Sequence, residues 1–205
     1  MALRVARVLT ALLAFSAVVT ELATLLERGT LHPADFFSYF TIQSNLLTAG
    51  VLLVAAYAGS GSGGPTRGST RGSARVDAWR GAVTVWMVLV LVVFAVLLSG
   101  LDGELTAVPW DNTVLHRIVP VLVVLDWLVA PPRRRVPRAT SLLWLLYPLA
   151  YLAWTLVRGA WTGWYPYPFT DPANGGYAQV ALTAAVITVG VLVVTWLVTL
   201  RHQRA

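Results

Sequence analysis

The chain has 205 residues, 57% of them hydrophobic and 12% charged, with a mean hydropathy of +0.70 and a formal charge of +6. A soluble domain with a solvated surface does not carry that balance, so a membrane-embedded chain is the first expectation. With no cysteine and no lysine, disulfides, thiolate metal sites and a Walker-type phosphate loop are excluded.

Six apolar runs are long enough to cross a bilayer, at about 5–27, 37–58, 79–99, 114–130, 140–158 and 178–200. They predict an all-α fold, one six-helix transmembrane domain over residues 1–205. The first run follows Arg4 and Arg7 and resembles a secretory signal with an Ala14-Phe15-Ser16 cleavage site. It continues apolar to Leu26, however, which favours an uncleaved span. The second run opens on "FFSYFTIQSNLLT", residues 36–48, where hydrogen-bonding side chains crowd an otherwise apolar helix. Residues 59–78, rich in Gly and Ser with interspersed Arg, predict a flexible linker. Gly59, Gly61 and Gly64 there form a G-x-G-x-x-G match, but no strand precedes it and no βαβ pattern surrounds it.

The fourth run is the weakest, being short and carrying His116, Arg117, Pro120 and Asp126, and on hydropathy alone five spans are an alternative. Arginine placement favours six. Of the 15 arginines, 12 fall at alternate ends of the runs: Arg4 and Arg7; Arg67, Arg71, Arg75 and Arg80; Arg133, Arg134, Arg135 and Arg138; Arg201 and Arg204. The intervening loops hold Glu27, Asp35, Asp102, Glu104, Asp111 and Asp171. The positive-inside rule then puts both termini in the cytoplasm of a multi-pass cell-membrane protein. Arginines beside anionic headgroups account for the positive charge, so the expected partners are membrane lipids and no nucleic acid. Between the fifth and sixth runs, residues 159–177 place Trp161, Trp164, Tyr165, Tyr167, Phe169 and Tyr177 among Pro166, Pro168 and Pro172. An interfacial aromatic belt is one reading; the prolines suggest a stiff, PPII-like cap across the mouth of the bundle.

On a helix beginning near Phe37, Ser38, Thr41, Asn45 and Thr48 fall on one stripe, with Thr41 about 6 Å below the outer end. An amide turned toward hydrocarbon costs several kcal/mol, so the stripe faces protein or water. Interhelical packing is the simplest account of such residues. The complement lies in the fourth run: His116 is at about the depth of Thr41, Asn112 is a turn above it, and Pro120, four residues below, frees the carbonyl of His116 and kinks the helix. Glu21 shares this half of the membrane and is expected to orient His116 or to pair with Arg117. Asp126 is expected to pair with an inner-loop arginine. Glu21 stands alone as a carboxylate at that depth, and His116 alone as an imidazole, so neither a paired-carboxylate mechanism nor a metal set is expected, and no cofactor. A hydroxyl beside an imidazole remains, with Asn45, Ser44 or freed backbone groups to donate to an oxyanion: the parts of acyl transfer or ester hydrolysis.

"FFSYFTIQSNLL", "VLHRIVP" followed by "LDW", and "WYPYPFTDP" together resemble the Pr6Pr family of bacterial six-span membrane proteins over essentially the whole chain. That family is distantly similar to the androgen-induced-gene family of intramembrane threonine hydrolases, which cleave fatty-acid esters of hydroxy fatty acids. The resemblance implies a Thr nucleophile and a His partner, carried here by Thr41 and His116. Ser38, Ser44, Asn45, Glu21, Asn112, Arg117 and Tyr167 are the expected supporting or substrate-binding residues. The leading expectation is a hydrolase of lipid-like esters entering from the outer leaflet. The alternative is a non-catalytic protein that binds lipids or small molecules, or a transporter.

Overall fold

A computed structural model of the chain describes residues 1–58, 67–101, 106–132 and 135–202, without the side chains of 67–72. Arg133, Arg134, Arg204, Asp102 and Glu104, used above to orient the chain, lie outside the described residues, as do the side chains of Arg67 and Arg71. All regular structure among the described residues is helical. Six helices are long and apolar enough to cross a membrane. They are α1 (Ala2–Glu27), α2 (Phe40–Tyr57), α3 (Arg67–Val93, continued by a π turn at Phe94–Leu98), α4 (Pro109–Val129), α5 (Arg138–Thr162) and α6 (Gly176–Leu200). At 1.5 Å per residue, the 26 residues of α1 extend about 39 Å, enough for a hydrocarbon core of about 30 Å.

Helices α1 to α4 form the packed centre: α1 lies against α2 and α4, and α3 against α2, α4 and α6. Small side chains allow the α1 contact, with Ala11, Ala14 and Ala17 buried on one face. Most of α5 and α6 is peripheral and leaves Leu146, Leu149, Trp154, Leu182, Val186 and Trp196 exposed, an apolar outer surface suited to lipid. Gly81 of α3 admits the Trp144 ring of α5: a Cβ there would lie 2.4 Å from that ring. The Trp86 indole N–H donates to the carbonyl of Trp144 across 2.9 Å.

At the end of the bundle holding the N-terminus of α1, Asp126 ties three helices together. Its carboxylate accepts from Arg7 of α1 at 2.6 Å and from Arg80 of α3 at 2.7 and 3.0 Å. Arg80 also donates to Asp77 at 3.0 Å and to the carbonyl of Ala130 at 2.8 Å. Pairing buried charge in this way is what lets an aspartate persist in an apolar helix.

Three expectations are corrected. The stripe does not begin at Ser38, because α2 starts at Phe40. Ser38 lies in the turn before it, its hydroxyl donating to the Ala34 carbonyl. The linker does not extend to 78, because the helix begins at Arg67; residues 59–66 lie outside the described residues. The prolines between α5 and α6 do not hold one extended path. Pro168–Thr170 and Pro172–Asn174 each start a 3-10 turn at a proline, whose missing N–H is not needed there.

Candidate functional site

Thr41 is the second residue of α2, so its N–H has no carbonyl a turn earlier to pair with. The Thr41 side chain is buried and faces His116 of α4, with Oγ1 3.1 Å from Nε2. The ring's other nitrogen, Nδ1, lies 3.0 Å from the backbone carbonyl of Asn112. A carbonyl only accepts, so Nδ1 carries the proton of the neutral imidazole and Nε2 presents its lone pair. Thr41 therefore donates its hydroxyl proton to His116. The Phe94 ring stacks on the imidazole with centroids 4.4 Å apart and planes at 24°, and the Arg117 guanidinium lies over that same phenyl ring.

The backbone of α4 explains how His116 is aimed. Residues Val114–Ile118 form a π turn in which the N–H of Val119 bonds the carbonyl of Val114, five residues back. Continued by one residue, that spacing pairs Leu115 with Pro120, which has no N–H. Asn45 fills the gap, its Nδ2 donating to the Leu115 carbonyl at 3.2 Å and to the Thr41 carbonyl at 2.9 Å. The carbonyl that Pro120 leaves to another donor is thus that of Leu115, one residue from the expected His116. Both protons of the Asn45 amide are committed to these carbonyls, and Ser44 Oγ donates to the Thr41 carbonyl as well. Asn45, fully buried, joins α2 to α4 beneath the Thr41–His116 pair.

Tyr167 completes the cluster from the segment between α5 and α6. Its hydroxyl is 3.4 Å from Thr41 Oγ1 and also accepts from the Thr41 N–H at 3.4 Å. Since Thr41 donates to His116, the phenol is the donor to Thr41 Oγ1. The chain of protons is directional: Thr41 N–H to Tyr167, Tyr167 O–H to Thr41 Oγ1, Thr41 O–H to His116 Nε2. Burial pushes the Tyr167 phenol up to about 12, so it stays protonated at physiological pH. The ring is held by parallel stacking on Phe169, centroids 5.2 Å apart, and by the edge of Tyr39.

Two cavities meet at Thr41, His116 and Tyr167. One, of about 100 Å³, is an apolar groove walled by α5 and α6, with Leu149, Leu152, Ile187 and Val191 along it. The other is a polar vestibule of about 340 Å³ bounded by Glu21, His32, Asp35, Tyr39 and Trp164. Glu21 accepts from the Ala107 N–H with both oxygens, at 2.8 and 3.0 Å. It does not stand alone: Asp111, fully buried in the first turn of α4, is its neighbour. Asp35 takes a 2.5 Å bond from Arg158. The sequence offered no reason to single out Phe94 or Asp111. Asp111 directly precedes Asn112, yet an acidic residue in a short loop reads as solvated.

Comparison of the chain with protein-family models, with curated proteins and with solved structures finds no match.

Proposed function

We propose that the protein is an intramembrane threonine hydrolase of lipid esters, and the observation that carries this reading is the 3.1 Å bond from Thr41 to a His116 whose tautomer is fixed by the Asn112 carbonyl. Thr41 Oγ1 attacks the ester carbonyl while His116 Nε2 takes its proton. The oxyanion of the tetrahedral intermediate is met by the Tyr167 hydroxyl and the Thr41 N–H, the latter at a helix N-terminus whose dipole favours negative charge. His116 returns the proton to the departing alkoxide as the C–O bond breaks. A water, deprotonated by His116, then attacks the acyl carbonyl, and His116 returns that proton to Thr41 Oγ1 as its bond to the acyl group breaks and the fatty acid leaves. Asn45, which the sequence suggested for the oxyanion, acts instead as a positioning residue through its two carbonyls.

The groove supports a fatty acyl chain arriving sideways from the bilayer, because its walls are apolar and α5 and α6 face lipid. The arginine pattern supports a cell-membrane protein with both termini cytoplasmic and the site near the outer surface. Kinship with the Pr6Pr and androgen-induced-gene families, suggested by the sequence motifs, agrees with the same pair of residues. A transporter would need a polar path through the bundle, and the groove beside Thr41 is apolar. A non-catalytic lipid-binding protein would use the same groove but has no need of a hydroxyl bonded to a basic imidazole nitrogen.

The test is fluorophosphonate labelling of the purified protein in detergent. Wild type is expected to label and Thr41→Ala to remain unlabelled while keeping its helical content; equal labelling of both removes Thr41 as the nucleophile.

A further inference from the structure

We infer that the vestibule selects esters whose alcohol portion carries an ammonium group, an inference that rests on the hydrolase reading above. If the acyl chain occupies the apolar groove, the ester carbonyl sits at Thr41, where the two cavities meet, and the alcohol portion extends into the vestibule. Its volume of about 340 Å³ suits a small polar headgroup.

The lining decides the charge. Among the described residues it brings two carboxylates, Glu21 and Asp35, and no arginine. Asp35 is matched by Arg158, whereas Glu21, also on the wall, has no cationic partner among the bonds that hold it, its oxygens accepting from the amide of Ala107 and its carboxyl group sharing a hydrogen bond with Asp111. Part of the remaining wall is aromatic, with Tyr39 packed edge-on against both Trp164 and Tyr167 at 5.8 and 5.7 Å, beside aliphatic residues such as Leu25 and Ile42 and the His32 imidazole. Aromatic faces beside a carboxylate attract ammonium groups. The Trp164 indole already accepts one cation, the Arg158 guanidinium 4.9 Å from its centroid. A substrate with a second carboxylate in this position meets Glu21 and is repelled. An uncharged alcohol is tolerated without being favoured. In the favoured reaction the ester C–O bond breaks, the acyl group passes to Thr41, His116 protonates the leaving oxygen, and the ammonium alcohol departs through the vestibule.

The experiment uses three esters of one fatty acid in detergent with the full chain: a choline ester, a glycerol monoester and an ester of a hydroxy carboxylic acid. The expected order of kcat/KM is choline, glycerol, then carboxylate, with about tenfold between the first two. Glu21→Gln keeps the acceptor for Ala107 and removes the charge. Read as a ratio, so that a general loss of activity cancels, it is expected to reduce the choline preference about tenfold. Equal rates, a preference for the carboxylate ester, or a ratio unmoved by Glu21→Gln overturns the inference. Binding of the choline and glycerol esters to Thr41→Ala, with and without Glu21→Gln, decides the matter independently of turnover. An ammonium preference without hydrolysis or fluorophosphonate labelling would retain the vestibule's selectivity and overturn the hydrolase; labelling without an ammonium preference would do the reverse.

Discussion

Replacing Tyr167 with phenylalanine removes one oxygen from the centre of the site. The ring keeps its stacking on Phe169 and its contact with Tyr39, so the segment between α5 and α6 stays in place. What is lost is the donor to Thr41 Oγ1 and the acceptor for the Thr41 N–H. A full oxyanion donor is worth roughly 10²–10³ in kcat. Both Tyr167 contacts are long, at 3.4 Å, which places the expected loss at the lower end, roughly 10- to 100-fold in kcat with KM little changed. The same substitution has a signature in alkaline stability that a purely steric role does not produce. Burial raises the Tyr167 phenol from 10.0 to about 12, so its contribution is whole below pH 10 and falls as pH rises to 12, where the unfolded chain sheds the proton first. That interval corresponds to a loss of a few kcal/mol. Other tyrosines titrate in both proteins, so the difference between wild type and Tyr167→Phe isolates this one. Ester turnover and thermal unfolding, each followed from pH 8 to 12, are the assays. An unchanged kcat, or identical alkaline loss of stability in the two proteins, refutes the reasoning.

Asp126→Asn removes the shared counter-charge of Arg7 and Arg80 and is expected to cost about 3–5 kcal/mol, measured as a fall in thermal midpoint in detergent. Because the site lies at the other end, fluorophosphonate labelling of whatever remains folded should persist. Gly81→Ala drives a Cβ into the Trp144 ring, itself confined beside Trp127, and is expected to destabilise by about 1–3 kcal/mol by the same assay. A neutral result there would show that α5 shifts freely on α3.

The six helices were legible because each is a long apolar run, and burial of their polar residues follows from the cost of exposing an amide to hydrocarbon. Thr41 and His116 stood out for the same reason, as reactive types at matching depth. Depth is readable from a helical rise, but what each polar atom bonds to is not. Asn45 looked like a donor to substrate because nothing in the sequence reveals that a π turn in α4 shifts the pairing by one residue and leaves Leu115 for it. Ser38 was misplaced by a boundary: the run of hydrogen-bonding side chains begins before the helix does. Asp111 was read as a loop acid because α4 starts five residues earlier than its apolar pattern, at Pro109 rather than 114. Pairings such as Arg158 with Asp35 or Arg7 with Asp126 join positions more than a hundred residues apart, and no local pattern encodes them.

The double role of α4 bears on how the protein is made. One helix holds both His116, which meets Thr41, and Asp126, which meets Arg7 and Arg80. Its polar side chains, His116 and Arg117 within the span and Asp126 three residues from its end, make it a poor candidate to enter a bilayer alone. Synthesis delivers α1 and α3 first, so two guanidiniums await that aspartate when α4 emerges from the translocon. Until then Arg80 has Asp77 of its own helix as its carboxylate, and Arg7 awaits one. Insertion of the fourth helix therefore completes the charge cluster at one end of the nascent bundle and brings His116 to Thr41 in the same event, so that a chain stalled before it has neither contact.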